Sequence, residues 1–195
     1  MTGGAVSGPR RSMGRFEITV LLALSMALGA LGIDLMLPAF DVMRADLGLA
    51  ADSNAIAGTI TTYFFGLALG TFIYGPLADR YGRRRALFVS YAIYGVGGLA
   101  SALAPSLGVL LAVRFVWGIG AAGSRVVTMA VIRDAYDGEE MSRAMSHVFA
   151  VFVLVPIVAP TLGAGIVAVS SWRWMFGFCV LYAICLLYTS DAADE

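Results

Sequence analysis

The stretch "GPLADRYGRRRAL", Gly75 to Leu87, places four arginines and one aspartate between two long apolar segments. A chain crosses the hydrocarbon of a bilayer as a helix of about 20 apolar residues. Asn54–Tyr74 before the stretch and Ala86–Ala104 after it have this length and character. The stretch is therefore predicted to be a short polar turn between two membrane-spanning helices.

Composition extends this interpretation to the whole chain of 195 residues. It is 59% hydrophobic and 13% charged, with a mean hydropathy of +0.84, whereas ordinary globular chains are about 25% charged. The net charge is zero, which leaves no basic face for nucleic acid. We predict an all-α membrane protein with six transmembrane helices, at Phe16–Phe40, Asn54–Tyr74, Ala86–Ala104, Leu107–Val131, Met145–Val169 and Trp172–Leu187.

The remaining ends are predicted to lie outside the six-helix domain of residues 16–187. Residues 1–15 are small, polar and basic, which indicates a disordered cytoplasmic leader. Residues 188–195 form an acidic tail that we interpret as non-native or truncated. Nine arginines lie in the leader and in the links after the second and fourth spans, against Arg44 and Arg173 on the other side. The positive-inside rule then places both termini in the cytoplasm.

Three charged residues, Asp34, Arg114 and Arg125, lie well inside predicted spans, away from their ends. Each costs at least about 2.5 kcal/mol at the bilayer centre, so such residues indicate function by default. By helix rise, Asp34 and Arg114 lie at similar depths, about 9–10 Å below the outer surface, where they can form an ion pair. That pair either holds two helices together or exchanges partners during function.

Arg125 follows Arg114 by eleven residues and returns to nearly the same helix face. Gly118 and Ala121 lie between them on that face. A stripe of arginine, two small residues and arginine suits a water-filled cavity better than lipid, so we predict that it lines one.

The fifth span carries two prolines, Pro156 and Pro160, followed by Gly163 and Gly165. Proline removes a helix hydrogen bond and bends the helix. The segment is either a passive kink or a bend that seals or hinges the bundle.

Several motifs resemble those of the major facilitator superfamily. "GPLADRYGRRRAL" resembles the family signature G-x-L-a-D-r-x-G-r-[rk]-x-x-l between the second and third helices, and "LAVRFVWGIGAAG" resembles the fourth-helix motif. "VPIVAPTLGAG" is similar to the fifth-helix motif of proton-coupled antiporters, and "GIDLMLPAF" to the first helix of bicyclomycin- and chloramphenicol-type multidrug efflux proteins. The resemblance covers about Phe16 to Leu187, which is half of a twelve-helix family protein.

The resemblance implies the N-terminal half-bundle, a 3+3 inverted repeat, of a drug:proton antiporter in the bacterial inner membrane. Its implied partners are protons, a small lipophilic substrate, the bilayer and the missing C-terminal half, with no cofactor and no metal. The implied cavity lies around Asp34 and Arg114. We add Arg125, Met36, Tyr63 and Phe64 as candidate cavity residues.

The resemblance also implies a conformational latch in the polar turn between the second and third spans. Its residues are Gly75, Asp79, Arg80, Gly82 and Arg83, and Asp134 at the end of the fourth span faces the same aqueous layer. We expect Asp79, Arg83 and Asp134 to form one charged cluster.

Two other functions stay open from sequence. One is a symporter or uniporter for a sugar or an organic anion, which the two arginines favour and the double-proline motif disfavours. The other is a non-transporting receptor or assembly subunit. An enzyme is disfavoured, because the single histidine, His147, has no nucleophile or metal-ligand pattern around it.

Overall fold

The structure, a computed structural model, describes residues 15–192 and the side chains of residues 17–190. Regular structure in this part of the chain is entirely helical. The helices are α1 (Arg15–Asp34), α2 (Phe40–Asp46), α3 (Gly58–Tyr81), α4 (Arg83–Ala102), α5 (Leu107–Ala135), α6 (Gly138–Val169) and α7 (Arg173–Ala192). The predicted leader lies outside the described residues, apart from Arg15 at the start of α1. The predicted tail lies within α7 as far as Ala192, and residues 193–195 are outside.

Six long helices, α1 and α3 to α7, correspond to the six predicted spans. Five spans are long and apolar enough to cross a membrane. They are α1 together with α2, and then α3, α5, α6 and α7. The remaining helix, α4, has 20 residues but begins with three arginines and carries serines and tyrosines in its buried face. α6 begins seven residues earlier than its predicted span, at Gly138.

The first span is not the single helix that we predicted. α1 ends at Asp34, and a turn and a 3-10 segment, Leu37–Ala39, lead into α2. Pro38 explains the break. It has no amide hydrogen for the Asp34 carbonyl, and its ring would clash with that carbonyl in a continuous helix.

The main helix contacts run between two sets of three helices, with α1, α3 and α4 in one set and α5, α6 and α7 in the other. α5 packs against α3, α4 and α1, while α1 also packs against α6 and α7, and α4 against α7. Exchanging α1 with α5, α3 with α6 and α4 with α7 turns the α1–α6 pairing into α5–α3 and the α1–α7 pairing into α5–α4, and it leaves α1–α5 and α4–α7 unchanged. The packing therefore agrees with the predicted 3+3 repeat.

α3 and α5 cross with their backbones in contact. A methyl group added to Gly66 would overlap the carbonyl oxygen of Phe115, and one added to Gly118 would overlap that of Tyr63. Small residues allow such close approach, which is how helices associate in membranes. This crossing fixes the position of Arg114 relative to α3.

Candidate functional site

Arg114 of α5 is fully buried and points at the broken end of α1. Its Nη1 donates to the carbonyl oxygen of Gly32 at 2.8 Å, and its Nη2 contacts the sulfur of Met36. The Met36 amide donates to the carbonyl oxygen of Ile33 and not to that of Gly32. The guanidinium therefore supplies the hydrogen bond that the Gly32 carbonyl lacks at the break. Since a helix C-terminus carries partial negative charge, Arg114 caps α1 electrostatically as well.

The other contacts of Arg114 come from α3 and from aromatic rings. Its Nε donates to the carbonyl oxygen of Thr59 at 3.3 Å. The guanidinium carbon lies 4.8 Å from the ring centroids of both Tyr63 and Trp117, a distance at which cation–π attraction operates. The Tyr63 hydroxyl in turn donates to the carbonyl oxygen of Gly29 at 3.0 Å. The charge is thus stabilised in the core without a carboxylate.

Asp34 is the last residue of α1 and is partly exposed. It forms no hydrogen bond or ion pair with any described residue. The predicted Asp34–Arg114 ion pair is therefore absent, because the break in α1 offers Arg114 a backbone carbonyl instead. Asp34 is left as an unpaired carboxylate where the first span breaks.

The predicted cavity stripe along α5 is wrong for most of its length. Arg114, Gly118 and Ala121 are buried in helix contacts rather than facing a cavity. Arg125, at the other end of the stripe, is exposed and pairs with no described residue. This face of α5 packs closely against α3, in a contact that we call the α3–α5 seam. Its small residues allow the two helices to approach.

The three candidates for apolar substrate contacts differ in accessibility. Met36 and Tyr63 are 1% and 0% exposed and belong to the shell around Arg114. Phe64 of α3 is 50% exposed. Of these three, only Phe64 presents its side chain to a ligand in this conformation.

The charged cluster predicted at the α3–α4 turn is present. Arg83 lies between two carboxylates, with Nη1 2.7 Å from Asp79 and Nε 3.1 Å from Asp134 at the end of α5. Hydrogen bonds to Asp134 and to Asp79 raise the pKa of the Arg83 guanidinium above its ordinary value. Gly82 makes the turn with φ of +90°, a conformation that disfavours residues with a Cβ.

The other two loop residues of the predicted latch do not join this cluster. The guanidinium of Arg80 lies 5.4 Å from the Tyr81 ring centroid, and Gly75 is within α3 with open space where a Cβ would be. The structure therefore brings together Asp79, Arg83 and Asp134 alone.

The double-proline segment lies inside α6, which continues past both prolines. Gly163 is buried, and a methyl group there would overlap the carbonyl oxygen of Leu35 in the broken part of the first span. Gly165 has open space around it, and Pro156 is exposed. Gly163 is thus the packing residue of the motif, because it allows α6 to approach the break.

Sequence reasoning missed a second polar cluster, at the other end of the bundle from Arg83. Asp46 at the end of α2 accepts hydrogen bonds from Trp172 Nε1 at 3.0 Å and from Arg173 Nη1 at 2.6 Å. Trp172 is 1% exposed, whereas Trp174 is 66% exposed. The signal in the sequence was an acidic residue, Asp46, on the same predicted side of the membrane as Arg173.

Large apolar side chains cover the outside of the bundle. Phe65 and Phe72 of α3 are 65% and 79% exposed, and Val153 and Ile157 of α6 are 62% and 67% exposed. Such surface is rare on soluble monomers. Long apolar helices around a buried arginine define a multi-pass helical membrane protein.

Comparison with known proteins supplies the family. The sequence model of the Major Facilitator Superfamily matches residues 22–191. The chain is 37% identical over 152 residues to a chloramphenicol resistance protein of Pseudomonas aeruginosa, covering 77% of this chain and 36% of that protein. It is 30% identical over 161 residues to a bicyclomycin resistance protein homolog of Haemophilus influenzae, covering 83% and 40%. The chain belongs to the Major Facilitator Superfamily, whose members are transporters and not enzymes.

A solved structure shows the same fold. The bundle matches the proton:xylose symporter XylE with a TM-score of 0.81 at 16% sequence identity, over 90% of this chain and 44% of that one. The chain thus spans less than half the length of the proteins it matches. What it contains is the fold of half a transporter.

Proposed function

We propose that this chain is the N-terminal half of a proton-coupled transporter that exports small lipophilic compounds by alternating access. The resistance proteins among its relatives support the substrate class. The complete activity requires a C-terminal half, and we place the whole in a bacterial inner membrane with both termini of this half in the cytoplasm.

The observation that carries the proposal is the unpaired carboxylate of Asp34. An acidic residue at membrane depth is costly unless it is paired, so it marks an ion or substrate pathway. Asp34 is partly exposed and bonds to no described residue. In the proposed cycle Asp34 takes up a proton when substrate leaves and releases it when substrate binds.

Arg114 contributes a fixed positive charge to this site. Its bonds to Gly32 and Thr59 hold it in the core, so it acts on Asp34 through space while its contacts stay unchanged. Phe64 is the apolar surface that we assign to substrate, and Arg125 remains a candidate for the cytoplasmic part of the cavity.

The Asp79–Arg83–Asp134 cluster is proposed as the cytoplasmic latch. It ties the turn between α3 and α4 to the end of α5. In the complete transporter Asp79 would also face the positive N-terminal end of a helix in the other half. Closing and opening these contacts gives the two states that alternating access needs.

The test is pH-gradient-driven efflux of a lipophilic cationic dye by the complete transporter in membrane vesicles. Asp34→Asn removes the titrating group, so we expect efflux to lose its dependence on the gradient. Asp41→Asn is the matched control, since Asp41 is exposed and pairs only locally with Arg44 at 2.6 Å among the described residues. Undiminished, gradient-dependent efflux in Asp34→Asn would refute the proton role.

A further inference from the structure

Side chains from four neighbouring helices donate hydrogen bonds to backbone carbonyl oxygens of α1. The donor–acceptor pairs are Tyr182 of α7 to Leu24 at 2.9 Å, Tyr94 of α4 to Leu28 at 2.8 Å, Tyr63 of α3 to Gly29 at 3.0 Å, and Arg114 of α5 to Gly32 at 2.8 Å. A carbonyl oxygen has two lone pairs, so it can accept such a bond in addition to the amide bond within its helix. The position of α1 is therefore set by polar side chains as well as by apolar packing.

Two of these tyrosines meet at Gly32, close to the broken end of α1. A methyl group added to Gly32 would lie 2.8 Å from the hydroxyl oxygen of Tyr63 and 2.9 Å from that of Tyr94. Both tyrosines are fully buried. The two hydroxyl groups therefore lie against the backbone of the residue whose carbonyl Arg114 caps, and only glycine leaves room for them.

The ring of Tyr94 is held separately from its hydroxyl group. It packs edge-on against Trp117, with the two ring centroids 5.1 Å apart. Trp117 in turn lies 4.8 Å from the guanidinium carbon of Arg114. Phenylalanine in place of Tyr94 would keep this packing and lose the bond to Leu28. The hydroxyl group can therefore be removed without removing the ring that supports Trp117.

The position of Gly32 determines which group Arg114 binds. Gly32 accepts from Arg114 Nη1, and Asp34, two residues further along, has no hydrogen bond or ion pair with a described residue. The Tyr63 hydroxyl interacts electrostatically with both Asp34 and Arg114, so both charges lie in its neighbourhood. A guanidinium binds a carboxylate more strongly than it binds a neutral carbonyl. Arg114 would therefore turn to Asp34 if Gly32 moved out of its reach.

The helices packed against this end of α1 carry few other charged groups. The described titratable groups that face it are Tyr63 on α3, Tyr94 on α4, Arg114 on α5 and Cys179 on α7. α6 approaches through Gly163, and its described charged residues and His147 lie within residues 138–147, about 24 Å or more along the helix. On α2, Asp41 and Arg44 pair with each other. Arg114 is therefore the cation whose position bears on Asp34.

We propose that Tyr94 is a positioning residue for Asp34. Its hydroxyl group, together with that of Tyr63, holds Gly32 against Arg114 and so keeps the Asp34 carboxylate apart from the arginine. An ion pair favours the charged form of a carboxylate, so a carboxylate kept out of such a pair binds a proton more readily. The inference rests on the proposed function for its meaning in transport, but the proton affinity of Asp34 can be measured without transport.

The test is an infrared titration of the purified complete transporter in lipid nanodiscs. The carboxyl band of Asp34 is the band that is absent from Asp34→Asn, and its intensity is followed against pH. We expect Tyr94→Phe to lower the pH of half-protonation by about one unit, which is a tenfold loss of proton affinity, because Arg114 becomes free to pair with Asp34. Tyr63→Phe removes the second hydroxyl group and should shift the midpoint in the same direction.

Tyr91→Phe is the matched control on the same helix. Tyr91 is also buried, but its hydroxyl group bonds to the side chain of Ser25, nine residues before Asp34, and not to a carbonyl of α1. We expect its midpoint to stay within about 0.2 pH units of the wild type, which is less than twofold in proton affinity. An unchanged or raised midpoint in Tyr94→Phe, an equal shift in Tyr91→Phe, or no titrating Asp34 band in the wild type would overturn the proposal. Failure of the proposed function is a separate result, because it appears in the efflux of Asp34→Asn and leaves this titration interpretable.

Discussion

At the scale of single residues, Arg114 is held by the carbonyl oxygens of Gly32 and Thr59 and by the rings of Tyr63 and Trp117. A buried cation normally requires a carboxylate partner, because desolvation costs several kcal/mol. Here the open C-terminal end of α1 supplies the negative potential. Asp34 is therefore not needed as the ion-pair partner of Arg114.

The first prediction concerns the stability that Arg114 contributes. Arg114→Ala leaves a cavity and two carbonyl oxygens without a hydrogen-bond donor. We therefore expect the free energy of unfolding to fall by about 2–5 kcal/mol. Thermal unfolding of the purified chain, followed by helical circular dichroism, measures this.

Arg125→Ala is the matched control, since it removes the same side chain from the same helix at an exposed position without partners among the described residues. It should change stability by less than about 0.5 kcal/mol. Equal losses in both variants would show that Arg114 is not a structural cap.

Sequence identified the unusual residues but not their partners. Asp34 and Arg114 stand out because charge is rare in the spans, and that needs no structure. Their pairing was inferred from depth along a continuous helix. Pro38 ends that helix, and the Gly32 carbonyl oxygen that this leaves without an amide donor accepts from Arg114 instead. Depth along a helix compares side chains only, and a backbone carbonyl freed by a helix break is not visible in it.

At the scale of elements, the α3–α5 crossing depends on glycines that bring two backbones into contact. Gly118 lies against the Tyr63 carbonyl, and any added methyl group must separate the helices. The same contact places the Tyr63 ring over Arg114. The α3–α5 seam and the end of α1 that Arg114 caps therefore form one structural unit.

The second prediction tests this seam with a pair of substitutions on helical glycines. Gly118→Ala should destabilise the chain by about 1–3 kcal/mol through overpacking. Gly165→Ala meets open space and should stabilise by up to about 1 kcal/mol, the helix-propensity gain of alanine over glycine. Thermal unfolding of both variants provides the comparison, and a neutral Gly118→Ala would contradict the close crossing.

The third prediction concerns the charged cluster at the α3–α4 turn. Arg83 is 32% exposed in its side chain, so Arg83→Ala should cost less than about 1 kcal/mol of stability. If the cluster is a latch, the same energy shifts a conformational equilibrium, and we expect export to fall by up to about tenfold. The export rate and the unfolding temperature are measured on the same preparations.

Arg85→Ala serves as the control for that experiment, since Arg85 is an exposed arginine of the same turn that is not in the cluster. It should export at the wild-type rate. A large stability loss in Arg83→Ala, or an equal export loss in Arg85→Ala, would contradict the latch.

Element positions were largely predictable, and this cluster with them. Apolar runs of membrane length fix the spans, and a short turn keeps Asp79 and Arg83 one helical turn apart. The hydrogen bonds from Trp172 and Arg173 to Asp46 were not predictable in this way. These bonds join residues 126 and 127 positions apart, and they depend on α2, a short helix in the link after the predicted first span that was not predicted.

At the scale of the whole molecule, the chain has half of a transporter fold, and the pairings between its two sets of three helices follow a twofold pattern. Its exposed apolar faces on α3 and α6 need lipid or a second half to cover them. The site is built at the break in the first span, where α1, α3, α5 and α6 converge on Leu35 and Arg114. A rearrangement of any of these helices therefore reaches Asp34.

Proton release on substrate binding tests the central claim most directly. Substrate is added to the purified complete transporter in weakly buffered solution, and the change in pH is recorded with a dye. We predict that the wild type releases protons when substrate binds, and that Asp34→Asn still binds substrate but releases none. Proton release of wild-type size from Asp34→Asn would contradict the claim that Asp34 exchanges a proton for substrate.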